Sequence, residues 1–407
     1  DRRWADVVPS GPIEIPDLPV VEAIPDVRRA LAGRRSAVLV APPGAGKTTV
    51  IPLALLDEPW LDDRRIVMLE PRRLATRAAA RRMAETTRTE VGGLVGYQTR
   101  DERHIGAATR IEVVTEGVLT RRLQNDPELP GVGLVIFDEV HERNLTTDLG
   151  LALALDVAST IRPDLRVLAM SATPDVEGLT SLLDAPVVAS EGRMVDIDMH
   201  WMPRAQYGGG RPGARTGGGR GRSRPAATGG NHRIEPDVVA AVQRALRDQT
   251  GDVLVFLPGI GEIRRTESML RDAAGADVDV FPLAGALSLA EQDAALAPAR
   301  PGRRRVVLST DIAETSLTVD GVRVVLDSGL AREPRFDART GTPRLTTVST
   351  SRASAEQRAG RAGRPEPGAA YRLWRKLEHG TRSKHRSPEI AQADLAGFAL
   401  ELAAWGG

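Results

Sequence analysis

The 407-residue chain contains no cysteine, which excludes disulfides and thiolate metal sites. Its six histidines, His104, His141, His200, His232, His379 and His385, are scattered without metal-ligand spacing. Aromatic residues make up only 3%, which disfavours nucleic-acid binding built mainly on base stacking. A reader of this composition would grip backbone phosphates and sugars instead. No apolar run approaches the roughly 18 residues that a membrane helix needs, so no membrane partner is expected. No secretory leader is evident, which makes a cytoplasmic setting the default. The chain opens Asp1-Arg2-Arg3 without an initiator methionine and reads as a trimmed piece of a longer protein. Neither sign of charge predominates: 55 Lys and Arg against 54 Asp and Glu leave a net charge of +1. The distribution is less even, because residues 203–233 hold seven arginines and no acid.

The composition, 41% hydrophobic and 27% charged, is that of a folded globular protein, long enough for two or three domains with cores of their own. Short apolar runs at 37–41, 66–70, 111–115, 134–138 and 167–171 alternate with helical stretches such as Leu74–Glu85 and Glu116–Leu123. That alternation predicts an α/β domain with a mostly parallel sheet. The pattern resumes at 253–257, 277–283, 305–309 and 322–326, which predicts a second α/β domain. The expected division is a lead over 1–30, a first domain over 31–202, an insertion or linker over 203–233, a second domain over 234–380 and the start of a further region over 381–407. Within the insertion, Tyr207–Gly230 is rich in Gly and Arg and cannot bury a core. Two readings stay open for it: a flexible solvated spacer, or an auxiliary RNA-binding arm. Phe336-Asp337-Ala338-Arg339-Thr340-Gly341-Thr342 reads as a hairpin turn.

Ala41-Pro42-Pro43-Gly44-Ala45-Gly46-Lys47-Thr48 follows the apolar run Ala37–Val40 and has the form of a phosphate-binding loop. Small residues let backbone N–H groups close around phosphate oxygens, and a following helix adds its N-terminal dipole. Lys47 is placed to reach the β- and γ-phosphates, and Thr48 to offer a hydroxyl to Mg²⁺. Ala41 stands where the usual pattern has Gly, a difference of turn geometry more than of chemistry. Asp138-Glu139-Val140-His141 ends the strand-like Leu134–Phe137. In that position Asp138 would hold Mg²⁺ with Thr48, and Glu139 would orient or deprotonate an attacking water. Gln357-Arg358-Ala359-Gly360-Arg361-Ala362-Gly363-Arg364 offers guanidinium groups on a fixed spacing. No second phosphate loop is present.

The ordered phrases resemble superfamily 2 helicases of the DEAH/RHA branch. Leu69–Ala75 is similar to motif Ia, Ser171-Ala172-Thr173 to motif III, Val255–Gly259 to motif IV, Ser309–Thr318 to motif V and Gln357–Arg364 to motif VI. Val95–Arg100 and Thr115–Leu119 match two further signatures. Within the branch, Ala41–Thr49, Gly285–Gln292 and Pro388-Glu389-Ile390 resemble the bacterial HrpB-type RNA helicases.

The resemblance implies two tandem RecA-like domains that close on ATP, followed by the start of a helical or winged-helix region. Gly44, Ala45, Gly46, Lys47, Thr48, Thr49, Arg82 and Asp311 would hold the nucleotide. Gln357 would position the water, and Arg361 and Arg364 would be arginine fingers, with Arg358 structural. His141, Ser171 and Thr173 would couple the nucleotide site to the interdomain interface. Arg72, Arg73, Thr115 and Gly117 in the first domain, and Gly259 and Thr310 in the second, would line the RNA path. Val140 replaces the alanine of the motif. The base-stacking Phe of relatives falls at Leu296, which implies loose discrimination among nucleoside triphosphates. The hairpin would stand at the 5′ side of the strand, as a bookend or wedge, or be a plain surface hairpin. The expected activity is ATP-driven translocation on single-stranded RNA, 3′ to 5′, by a monomer acting on an RNA or on a duplex with a single-stranded tail. Two alternatives are an ATP-gated RNA clamp without unwinding and a DNA translocase.

Overall fold

The computed structural model describes residues 13–192, 196–203, 233–315, 317, 319–337, 339–362 and 366–406. The Gly/Arg-rich segment 207–230 and Arg364 lie outside the described residues.

The first domain is built on β1 (Ser36–Val40), β2 (Arg65–Leu69), β3 (Val95–Gln98), β4 (Arg103–His104), β5 (Ile111–Val114), β6 (Val132–Phe137), β7 (Arg166–Ser171) and β8 (Val187–Ala189). They form one sheet in the order β4-β3-β5-β2-β6-β7-β1-β8, parallel except for the β3–β4 pair. A parallel sheet is covered on both faces, so its strands read as continuous apolar runs. In β2, Ile66 and Met68 enter one core while Val67 and Leu69 enter the other. Three helices, α1 (Ile24–Arg34), α2 (Lys47–Ala54) and α3 (Arg73–Thr86), cover the first face. The second is covered by α4 (Glu116–Asn125), α5 (Leu145–Thr160) and α6 (Glu177–Leu183).

The sheet of the second domain draws on β9 (Ile197–Trp201), β10 (Asp252–Phe256), β11 (Val278–Leu283), β12 (Arg304–Ser309) and β13 (Val322–Asp327). A hairpin of β14 (Leu330–Asp337) and β15 (Thr342–Ser349) stands apart from it, and β16 (Gly368–Arg372) completes it in the order β11-β12-β10-β13-β16-β9, all parallel. The helices are α7 (Glu235–Asp248), α8 (Ile260–Ala273), α9 (Leu289–Leu296) and α10 (Arg352–Ala359). Two α/β domains with mostly parallel sheets are thus what the alternation of runs predicts, and the predicted hairpin forms.

Two expected boundaries differ. The described residues of the expected lead belong to the first domain: Val20 and Val27 are fully buried in its core, beside Leu31. At the other end, the first domain does not extend to 202. Strand β9 pairs with β16, Ile197 against Gly368 through Trp201 against Arg372, so the chain has already crossed to the second domain before Ile197. Beyond it, α11 (Lys376–Thr381) precedes α12 (Ala396–Trp405), whose Phe398 and Trp405 pack back on the first domain.

Candidate nucleotide site and nucleic-acid cleft

Strands β5, β2, β6, β7 and β1 are consecutive neighbours, and the functional phrases leave their carboxyl ends. Open α/β sheets place ligands at that edge. After β1 the loop turns through Gly44 at φ 81° and Gly46 at φ 95°, a conformation costly for side-chain-bearing residues. A Cβ on Gly46 would also lie 2.7 Å from Leu18 Cδ1. The turn delivers Lys47 as the first residue of α2, with Thr49 N and Val50 N bonded back to Gly46 O at 3.2 and 2.8 Å. Gly44, Ala45, Gly46, Lys47, Thr48 and Thr49 therefore lie together in the turn after β1 and the first residues of α2.

Lys47 Nζ sits 2.8 Å from Glu139 Oε1 and 3.9 Å from Asp138 Oδ1. Thr48 Oγ1 donates to Asp138 Oδ2 at 2.6 Å. Burial alone would discharge Lys47, but the two carboxylates overcome it and raise its pKa. Burial likewise opposes ionisation of Glu139, yet the Lys47 ammonium prevails and holds that carboxyl below its ordinary range. Asp138 moves the other way, lifted chiefly by burial. Of this pair Glu139 is the carboxylate that ionises more readily.

Glu139 adopts a left-handed backbone, φ 54°, and so does Arg143. Between them lies the single 3-10 turn Val140–Glu142. His141 Nδ1 accepts from Ala172 N at 3.2 Å and lies 3.5 Å from Glu139 Oε2. Burial lowers the His141 pKa, so the ring is neutral and the accepting Nδ1 leaves the proton on Nε2. Ser171 Oγ donates to Thr173 O at 2.9 Å and accepts from Thr173 N at 3.1 Å, closing the loop after β7.

From the second domain, α10 presents Gln357, Arg358 and the following Arg361. Arg358 is buried, with Nε donating to Glu314 Oε2 at 2.8 Å and Nη1 to Asp327 Oδ1 at 2.9 Å, the structural role predicted for it. Arg361 donates to Glu314 O at 2.9 Å and Leu317 O at 2.8 Å. Its charge acts on both Lys47 and Glu139 across the interface. Gln357 is 7% exposed. Its Nε2 and His141 Nε2 are buried without a hydrogen-bond partner. Both residues, with Thr173, line a cavity of about 120 Å³ between the domains.

A larger cleft of about 660 Å³ runs along the interface, lined by Arg72, Arg73, Thr310, Arg332 and Arg386 among others. Arg72, Arg73 and Thr310 are thus brought together in one cleft. Gly259 adjoins them: a Cβ there would lie 2.9 Å from Arg332 Cζ. Thr115 and Gly117 sit at the start of α4 and are not among the residues lining this cleft. Asp311 lies with the cleft rather than with the phosphate loop, its Oδ2 3.7 Å from both Arg72 Nη2 and Arg386 Nη2. Arg82 remains on the exposed face of α3, its Nη1 3.7 Å from Glu85 Oε2.

Several cleft residues have no counterpart among those singled out from the sequence. Glu142 directly follows the Asp138–His141 phrase, and that adjacency was a usable signal. Glu389 lies in the phrase Pro388-Glu389-Ile390, which carries the narrower resemblance but no assigned role, and Arg386 carried no signal. Glu389 Oε2 accepts from Leu145 N at 2.8 Å at the start of α5. The partly buried Glu116 accepts from Thr147 Oγ1 at 2.8 Å. Burial, with Glu142 and Glu389 adding repulsion, pushes its carboxyl up to about 7. Because the folded pKa lies above the unfolded one, this contribution is fully present below pH ~4.5 and is lost as pH rises through ~7. Glu116→Gln is therefore expected to gain about 2 kcal/mol over the wild type between pH 5 and pH 8, read by chemical denaturation at both; a pH-independent difference would refute the assignment.

The described geometry defines a two-domain core in which a glycine-rich loop and two carboxylates of one domain meet Arg361 of the other. Residues 21–182 match the family model described as DEAD/DEAH box helicase, and residues 237–366 match the helicase conserved C-terminal domain. The chain belongs to the DEAD/DEAH box helicase family. It is similar to the ATP-dependent RNA helicase HrpB of Escherichia coli K12, with 46% identity over 96% of this chain and 45% of that protein. The probable ATP-dependent RNA helicase DHX34 of Homo sapiens is 34% identical over 95% of this chain and 32% of its own length. A crystal structure of the Escherichia coli DEAH/RHA helicase HrpB superposes with a TM-score of 0.85 at 46% identity, covering 96% of this chain and 47% of that one. The chain thus spans less than half the length of these relatives.

Proposed function

We propose that this chain hydrolyses ATP with Mg²⁺ and couples the reaction to 3′-to-5′ movement along single-stranded RNA, separating duplexes or remodelling RNA–protein complexes. The observation that carries the reading is the meeting of Lys47, Thr48, Asp138 and Glu139 with Arg361 of the other domain.

The donor set fits the metal. Thr48 and Asp138 are hard oxygen ligands, and Mg²⁺ takes one or two protein ligands and completes its shell with phosphate oxygens and water. When bound, Mg²⁺ would neutralise charge developing on the phosphate oxygens. Lys47 bonds Glu139 at 2.8 Å. Phosphate oxygens offer Lys47 a stronger partner, which would release Glu139 to orient water or take its proton. His141 Nε2 and Gln357 Nε2 are two unsatisfied donors facing one small cavity, a place suited to a water or phosphate oxygen. Arg361, from the second domain, would complete charge stabilisation only when the domains close. The larger cleft, with cations and a hydroxyl, suits phosphates and sugars read without regard to sequence.

The test is steady-state ATP hydrolysis without nucleic acid, with single-stranded RNA, and with matched DNA, followed by unwinding of duplexes tailed on either end. RNA stimulation with opening of 3′-tailed duplexes alone supports the proposal. Stimulation without opening identifies a clamp, and equal stimulation by DNA identifies a DNA translocase.

A further inference from the structure

Glu142 is 8% exposed and is not one of the groups that touch the phosphate cradle. Its Oε1 accepts from Thr315 Oγ1 at 2.6 Å and lies 3.1 Å from Arg72 Nη2. Arg72 also donates to the backbone oxygen of Asp311. One carboxylate oxygen thus joins the first domain's cleft arginine to the loop after β12 in the second domain. The same 3-10 turn carries His141, hydrogen-bonded to Ala172, and starts from Glu139. Left-handed residues bracket that turn at φ 54° on both sides. Such backbone persists only where surrounding contacts hold it, so displacement at Glu142 is passed to Glu139 rather than absorbed locally.

We infer that Glu142 is the positioning residue that reports occupancy of the cleft to the hydrolytic site, through Arg72 on one side and Thr315 on the other. This rests on the RNA-dependent hydrolysis proposed above. A phosphate entering the cleft competes with Glu142 for Arg72. As Arg72 turns toward the phosphate, the carboxylate settles on Thr315 and the turn bearing Glu139 and His141 shifts with it. Glu142 touches neither nucleotide nor nucleic acid in this scheme, so its effect appears in coupling rather than in binding.

The variant to make is Glu142→Gln, which keeps an acceptor for Thr315 but removes the charge opposite Arg72. The readout is the ratio of RNA-stimulated to RNA-free hydrolysis, with the KM for ATP measured alongside. The ratio is expected to fall about tenfold while the KM for ATP moves less than twofold, and Arg72→Gln combined with Glu142→Gln to cause no further loss. Thr315→Val, which severs only the second arm, should lower the ratio severalfold and keeps the inference testable if the first variant folds poorly. An unchanged ratio, a parallel fall in both rates, or additive losses in the double variant would each overturn it. A wild type that RNA does not stimulate would sink the underlying functional reading instead, and the two failures are thereby distinct.

Discussion

Glu139→Gln is expected to slow hydrolysis by about a thousandfold, the range for loss of a positioned general base, while ATP still binds. Glutamine preserves the shape and the acceptor of the carboxylate but takes no proton. It also frees Lys47, whose nearer partner is Glu139 at 2.8 Å against 3.9 Å for Asp138. An unengaged Lys47 binds phosphate without first leaving a carboxylate, so nucleotide affinity should hold or rise. Single-turnover hydrolysis measured beside equilibrium ATP binding separates the two effects. A loss of less than tenfold would place the base elsewhere. Because Lys47 holds the Glu139 carboxyl below its ordinary range, Glu139 stays ionised in the free protein through the neutral range. Any acidic limb near pH 6 in kcat/KM, which reports groups of the free protein, must then come from another group.

Arg361→Ala is expected to cost about 10³ in kcat, the scale of an arginine finger, with RNA binding in the absence of nucleotide unaffected. The same substitution leaves the carbonyls of Glu314 and Leu317 without the guanidinium that now bonds them at 2.9 and 2.8 Å. Unpaired buried carbonyls cost about 1–3 kcal/mol each, so some loss of thermal stability accompanies the kinetic effect. Arg361→Lys separates the contributions: it keeps a positive charge but loses the fork that spans both carbonyls. If the lysine variant melts like the wild type and still loses most of its rate, the geometry of the guanidinium matters for chemistry. If either variant hydrolyses ATP at the wild-type rate, Arg361 is only a structural tie within the second domain.

The parts of this molecule legible from sequence are those whose chemistry is local. The phosphate loop occupies eight consecutive residues, 41–48, and the Asp138–His141 phrase four. Strands such as Val132–Phe137 and Asp252–Phe256 are buried along their whole length, so they appear as apolar runs. Ile197–Trp201 was not readable in this way. Its sequence, Ile-Asp-Met-His-Trp, is mixed because it is an edge strand, and its partner begins at Gly368. The domain boundary was consequently set too late. The Arg72–Glu142–Thr315 bridge was hidden for a related reason: Thr315 is 173 residues from Glu142, and no local pattern records such a meeting. The resemblance assigns Arg72 and Thr310 to one path, and they line one cleft; it assigns Asp311 to the nucleotide, whereas that side chain faces Arg72 and Arg386.

The early crossing of the chain bears on how the two domains are tied. The segment 204–232 leaves the second domain after β9 and re-enters it before α7, which starts at Glu235. Both of its anchor points therefore ride on one body. The covalent leash between the domains is the short stretch after Ala189 and before Ile197, and α12, packed on the first domain through Phe398 and Trp405, is a second, non-covalent tie. A change in the number of residues between β9 and α7 therefore leaves the covalent link between the two domains as it was.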